Sequence, residues 1–175
     1  MSRIKLYTPK IDELDYRARL LSDKETMAYN RGYDLDDPNY HKDTGTIDFP
    51  ESERADWYAA SVGREPERFY AYVCRAEDGE FVGEVCARLE DGVYKIGIVI
   101  EGKYHGICYG TDAMDALLGV LFDKLGAAEV QNEFEDQRNA AVRMHRRAHF
   151  TPVYEKVGMV RFVLRRDVYE ALKNA

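Results

Sequence analysis

The sequence has no apolar run approaching the ~18–20 residues that a membrane-spanning helix needs, so no membrane partner is expected. Its first residues, Met1-Ser2-Arg3-Ile4-Lys5, lack the apolar stretch and small-residue cleavage site of a secretory signal. Cysteine is scarce. Cys74, Cys86 and Cys108 are an odd number without metal-type spacing, which excludes a disulfide framework, gives no reason to expect a metal, and suits a reduced cytoplasmic setting. Positive charge is also in deficit: 25 Lys and Arg face 32 Asp and Glu, a formal net charge of −7. Nucleic acid is therefore not an expected partner, because that binding relies on clustered Lys and Arg. There is no internal repeat and no low-complexity linker, and 175 residues suit a single domain with one core, 1–175.

The acidity that is present is uneven. Asp34, Asp36, Asp37, Asp43, Asp48, Glu51, Glu53 and Asp56 meet only Lys42 and Arg54, with Tyr33, Trp57 and Tyr58 among the aromatic residues interleaved or adjacent. The last third carries Arg138, Arg143, Arg146, Arg147, Arg161, Arg165 and Arg166. An acidic, aromatic part and a basic part suit two ligands of opposite charge. Carboxylates and ring faces attract cations, so Trp57, Tyr58 and Tyr33 are candidates for an acceptor pocket; packing and solvation are the alternative.

Periodicity predicts the elements. A short strand at Arg3–Tyr7 precedes a helix over Ile11–Leu21, and the glycine- and proline-bearing 30–50 segment reads as a long irregular connection before a helix at Ser52–Val62. Phe69–Arg75, Phe81–Leu89 and Val93–Ile100 are rich in aromatic and β-branched residues and are separated by Asp78-Gly79 and Asp91-Gly92. That pattern predicts three consecutive antiparallel strands. Val82, Glu84 and Cys86 are expected to share one strand face. Met114, Leu117, Leu118, Leu121 and Leu125 mark an amphipathic helix ending near Gly126; a strand over Ala128–Phe134, a helix over Asn139–Ala148, strands over Thr151–Val157 and Met159–Leu164 and a short helix from Arg166 complete the chain. The class is α+β with a mixed, mostly antiparallel sheet flanked by helices.

One junction carries chemistry: Ile98-Val99-Ile100-Glu101-Gly102-Lys103-Tyr104-His105-Gly106-Ile107-Cys108-Tyr109-Gly110-Thr111. A strand enters a glycine-containing loop that opens into a helix, and free amides at a helix N-terminus with its dipole form an anion site. A tight turn punctuated by glycine is the structural alternative.

These residues resemble the cofactor loop of the GCN5-related N-acetyltransferases, whose pattern Arg/Gln-x-x-Gly-x-Gly/Ala falls on His105 to Gly110. Asn139-Ala-Ala-Val-Arg-Met-His145-Arg-Arg-Ala-His149-Phe150 resembles that family's last helix, and the order of elements agrees over nearly the whole chain, with the flavour of the ribosomal-protein or small-amine branches. His105 stands for the usual Arg or Gln, Cys108 for the first glycine, His145 for a Tyr and His149 for the glycine that ends the helix. The resemblance implies acetyl-CoA as co-substrate, without a metal, and an amine acceptor. The backbone of Ile98, Val99 and Ile100 would pair with the pantetheine arm, and amides of His105, Gly106, Ile107, Cys108, Tyr109, Gly110 and Thr111, with Asn139, would hold the diphosphate end. Glu84 and Glu101 are candidate bases for an alkylammonium of pKa ~10, and His145 a candidate acid for the leaving thiolate. The implied activity is acetyl transfer to a primary amine, on a small cation or a protein, by a monomer or homodimer; a non-catalytic acyl-CoA-binding regulatory domain is the alternative.

Overall fold

A computed structural model describes residues 2–175. Seven strands form one sheet: β1 (Ile4–Tyr7), β2 (Arg68–Arg75), β3 (Phe81–Glu90), β4 (Val93–Ile100), β5 (Glu129–Glu135), β6 (Thr151–Val153) and β7 (Met159–Arg165), in the order β1-β2-β3-β4-β5-β7-β6. Every neighbouring pair is antiparallel except β4 and β5. Five α-helices flank it: α1 (Asp15–Ser22), α2 (Glu51–Ser61), α3 (Tyr109–Gly119), α4 (Asn139–Arg147) and α5 (Arg166–Lys173). The class is the α+β mixed sheet expected from the sequence.

The β3–β4 hairpin turns on Asp91 and Gly92, with φ of 50° and 79°, and Glu90 pairs with Val93. Both central residues of so tight a turn need positive φ, which is why Asp-Gly encodes it. On one sheet face Val73, Val85, Ala87 and Ile96 pack with Ala113, Met114 and Leu117 of α3 and with Leu121 of the π-helical turn Val120–Lys124 that follows it. The helix expected to run to near Gly126 thus changes form after Gly119. On the other face Tyr70 and Tyr72 pack with Tyr16, Leu20 and Val62 from the α1 and α2 side.

Four further local expectations change. The first helix is interrupted: Ile11–Glu13 is a 3-10 turn, Ile11 is exposed, and α1 starts at Asp15. A further 3-10 turn, Thr26–Asn30, opens the 30–50 connection. The expected strand Thr151–Val157 shrinks to Thr151–Val153 at the sheet edge, where Pro152, lacking an N–H, is tolerated. Lastly, Val73 pairs with Gly83 and Cys74 with Phe81, so Val82 bulges out of the ladder. The extra residue sends Val82 into the α3-side core, away from the face that carries Glu84 and Cys86.

The feature that positions the site is a fork. β4 and β5 pair only at Tyr94–Val130 and Lys95–Gln131. Beyond Lys95 the two strands separate, and Ile98, Val99 and Ile100 keep pairing on the β3 side alone, with Val85, Glu84 and Gly83.

Candidate active site

The loop after β4 is built to leave amides free. Gly102–Tyr104 forms a 3-10 turn, Gly106 has φ 83°, and Cys108 has φ 68° as the residue before α3. Left-handed backbone at two closely spaced positions turns successive N–H groups to one side, a concavity suited to anions. The amides of His105, Ile107 and Thr111 are used internally, by the carbonyls of Gly102, Tyr104 and Cys108. Among the described residues none accepts a hydrogen bond from the amides of Gly106, Cys108, Tyr109 or Gly110. Four of the seven amides from His105 to Thr111 are thus unengaged at the positive end of α3.

Cys108 occupies a conformation that glycine adopts without penalty, which accounts for glycine as the family's residue there. Its side chain is exposed. His105 turns back on the strand, its Nε2 lying 3.0 Å from the Ile100 carbonyl oxygen, and so ties the loop to the end of β4. A second tie was not foreseen from sequence. Arg3, at the edge of β1, donates from Nε and Nη2 to the Asp112 carboxylate at 2.8 and 2.9 Å, and from Nη1 to the Ile107 carbonyl at 3.2 Å. Asn139 is exposed in the first turn of α4, and Met144 on that helix packs against the main core.

Glu84 is buried, 7% exposed, and it is not alone. Arg17 of α1 donates to one carboxylate oxygen and the Tyr70 hydroxyl to the other. Burial works against the Arg17 charge, and Glu84 and Tyr70 outweigh it, leaving its pKa raised. Burial, with Glu84 beside it, also raises the pKa of Tyr70. Both oxygens of Glu84 are therefore committed, which distinguishes it from a free base. Arg17 sits where sequence could have flagged it: three residues after Leu14 and four before Leu21, it is a charge on the apolar side of its helix. Glu101 follows β4, and its partner is Lys103 at 3.2 Å.

His145 is 1% exposed and packed against Phe134, Phe150 and Phe162, each with ring centroids 5.1 Å away. Its Nδ1 lies 2.8 Å from the Ala141 carbonyl, so that nitrogen carries the proton, and Nε2 accepts from the Asn132 amide at 3.1 Å. Burial lowers its pKa. A neutral ring with both nitrogens engaged is a core histidine, and the geometry gives it no proton to deliver to a leaving group.

The three aromatic candidates also have partners within the chain. The Arg17 guanidinium lies 4.3 Å from the Trp57 ring and Arg138 lies 4.5 Å from that of Tyr33, while the Tyr58 hydroxyl donates to the Pro9 carbonyl at 3.0 Å. Two of the acids of 34–56 form surface pairs, Asp34 with Lys42 and Asp48 with His41. Trp57 nevertheless lines a cavity of about 330 Å³ over the β2–β3–β4 face, with Arg17, Tyr70, Glu84, Cys86, Arg68, Arg88, Lys95 and Gly97. Its floor adjoins the fork, since Gly97 precedes Ile98 and Lys95 is the last β4 residue paired with β5. Cys86 lines it beside Glu84, with an exposed side chain. Among the described residues no three His, Cys, Asp or Glu side chains gather as a metal site, and no helix is long and apolar enough to cross a membrane.

Comparison with known proteins agrees with this geometry. Residues 3–151 match the family model described as an acetyltransferase (GNAT) domain. No curated protein matches in a sequence search. Among solved structures, spermidine N-acetyltransferase from Vibrio cholerae in complex with CoA and spermine superposes with a TM-score of 0.76 at 13% identity, covering 97% of this chain and 99% of that one. A GNAT-family acetyltransferase from Bacillus anthracis gives 0.70 at 14% identity over 94% and 96%. The N-acetyltransferase PseH from Campylobacter jejuni, in complex with acetyl coenzyme A, gives 0.57 at 15% over 66% and 79%. At such identities the structural likeness speaks for the fold, and the family match over most of the sequence does the rest: the chain belongs to the GNAT acetyltransferases.

Proposed function

We propose that this protein transfers an acetyl group from acetyl-CoA to a primary amine by direct attack in a ternary complex. The observation that carries the reading is the set of unengaged amides at Gly106, Cys108, Tyr109 and Gly110, set directly after a β-strand whose outer edge is open. These fit a diphosphate and an extended amide-bearing arm. Four N–H donors with a helix dipole receive the anion, and Ile98–Ile100 offer strand-like pairing to the pantetheine amides. Asn139, exposed at the start of α4, is assigned to the same ligand. When bound, acetyl-CoA supplies a thioester whose thiolate leaves readily.

The amine enters through the cavity beside the fork. It must first lose a proton from its ammonium form. Because both Glu84 oxygens are committed, that proton goes to Glu101 or to water. The amine nitrogen then forms the N–C bond and sheds its second proton to water, the C–S bond breaks, and the thiolate takes up a proton from solvent. Glu84 acts through Arg17 and Tyr70, holding the wall of the cavity in place.

A second reading, an acyl-CoA-binding domain without turnover, is favoured by Cys108, whose β-carbon stands where the family has bare backbone. Calorimetry with acetyl-CoA followed by thiol release over an amine panel separates the two. Binding with turnover supports transfer, binding without turnover supports the regulatory domain, and absence of binding ends both.

A further inference from the structure

The cavity beside the fork has a charge pattern that the acidic composition hides. The register aligns three rows across β2, β3 and β4 on one face: Tyr72–Glu84–Val99, then Tyr70–Cys86–Gly97, then Arg68–Arg88–Lys95. Rows on one face are two residues apart, about 7 Å. The ladder therefore runs from a neutralised Arg17–Glu84 pair, across a neutral thiol, to a row made only of cations. Four cationic side chains line the cavity against one carboxylate, Glu84, which Arg17 already neutralises.

The remaining three are weakly compensated. Arg88 meets Glu90 at 2.6 Å, Lys95 donates to the neutral Gln131, and Arg68 forms no ion pair among the described residues. Arg17 also keeps a buried Nε without a partner. None of the acids of 34–56 lines this cavity. A polyamine placed here would set its second ammonium among like charges, whereas an anion would relieve them.

From this we infer that the acceptor is a small amine that carries an anionic group, a carboxylate or a phosphomonoester, held on the Arg68–Arg88–Lys95 row while its amine faces the fork at Gly97. The inference rests on the acetyl-transfer reading and narrows its acceptor from primary amines in general to zwitterionic ones. The cation expected from the acidic segment is replaced by an anion-bearing partner, because strand pairing gathers the basic residues and leaves the acids on the surface.

The test pairs acceptors that differ only in the anion: L-amino acids against their carboxamides, and phosphoethanolamine against ethanolamine, with spermidine as the polycation. Thiol release from acetyl-CoA should favour the anionic member of at least one pair by about tenfold or more in kcat/KM, and that ratio should collapse in Arg68→Gln/Arg88→Gln. The pair that responds distinguishes carboxylate from phosphate. Equal or better turnover of the member without the anion in both pairs, or of spermidine over every anionic acceptor, overturns the inference, as does a ratio that survives the double substitution. Trp57 is the sole tryptophan and lines the cavity, so its fluorescence gives a readout independent of chemistry. If no amine releases thiol, the transfer reading has failed, and the fluorescence still decides. Quenching by glutamate or phosphoethanolamine but not by glutamate diamide or ethanolamine, which lack the anion, supports the anion site when salt weakens the quenching, and identical responses refute it.

Discussion

Replacing Cys108 by glycine probes the loop on which the cofactor site depends. Cys108 has φ 68° and an exposed side chain. A left-handed residue with a β-carbon costs about 1–2 kcal/mol, and the extra freedom of glycine in the unfolded chain returns about 0.5–1 kcal/mol. The net gain of roughly 0.5 kcal/mol corresponds to a Tm rise of about 1–2 °C for a domain of this size. The larger effect should be on the ligand. Removing the β-carbon and sulfur lets a diphosphate approach the amides of Gly106, Tyr109 and Gly110 more closely, and a tenfold tightening of acetyl-CoA binding is about 1.4 kcal/mol. Calorimetry with CoA and acetyl-CoA measures this. Cys108→Ala serves as the control, since it keeps the β-carbon and removes the thiol, and should recover little of the gain. Unchanged affinity in both variants would show that the side chain points away from the anion path and that the steric reasoning is wrong.

Three further outcomes follow from the geometry. Glu84→Gln strands the Arg17 charge, whose side chain is only 16% exposed, and should cost about 3 kcal/mol in urea unfolding; Arg17→Met in the same chain should restore at least a third of it. A double variant no more stable than Glu84→Gln would mean the pair is not coupled. Because burial lowers the folded-state pKa of His145, the unfolded chain takes up the proton first as pH falls below ~6.5, and stability is lost by up to about 1.4 kcal/mol per pH unit. His145→Phe should flatten that limb of the stability–pH curve while leaving turnover measurable; loss of turnover with the fold intact would return His145 to catalysis. A β-carbon on Gly83 would lie 2.2 Å from the Val99 carbonyl oxygen, so Gly83→Ala should displace β4, cost about 1–3 kcal/mol, and weaken acetyl-CoA binding, as thermal melts and calorimetry would report.

The element order, the Asp91-Gly92 hairpin and the loop-to-helix junction at His105–Thr111 were legible in the sequence because each is local. Turn chemistry, two-residue alternation and helical spacing act over fewer than about ten residues. Glu84 was legible only as a candidate acid. The face it was expected to share with Val82 did not survive the bulge, and its burial comes from Arg17 and Tyr70. What escaped was non-local: Arg17, 67 residues from Glu84, reaches it only because α1 lies on the sheet. The Val82 bulge depended on pairing with β2, and Arg3 clamped a loop more than a hundred residues away.

Sequence by itself determined the class of the fold and the position of the strand–loop–helix junction at His105–Thr111, since those reside in short-range patterns, and its motifs carried the resemblance to the family. Tertiary structure alone decided which side chains remain available for chemistry. It committed Glu84 to Arg17 and Tyr70, made His145 a neutral core residue, occupied the ring faces of Trp57 and Tyr33 with arginines, and aligned Arg68, Arg88 and Lys95 into one row. The reason is physical: charge and hydrogen-bonding capacity are satisfied through space, and the partner that satisfies a group is chosen by sheet register and helix packing rather than by its neighbours in the chain.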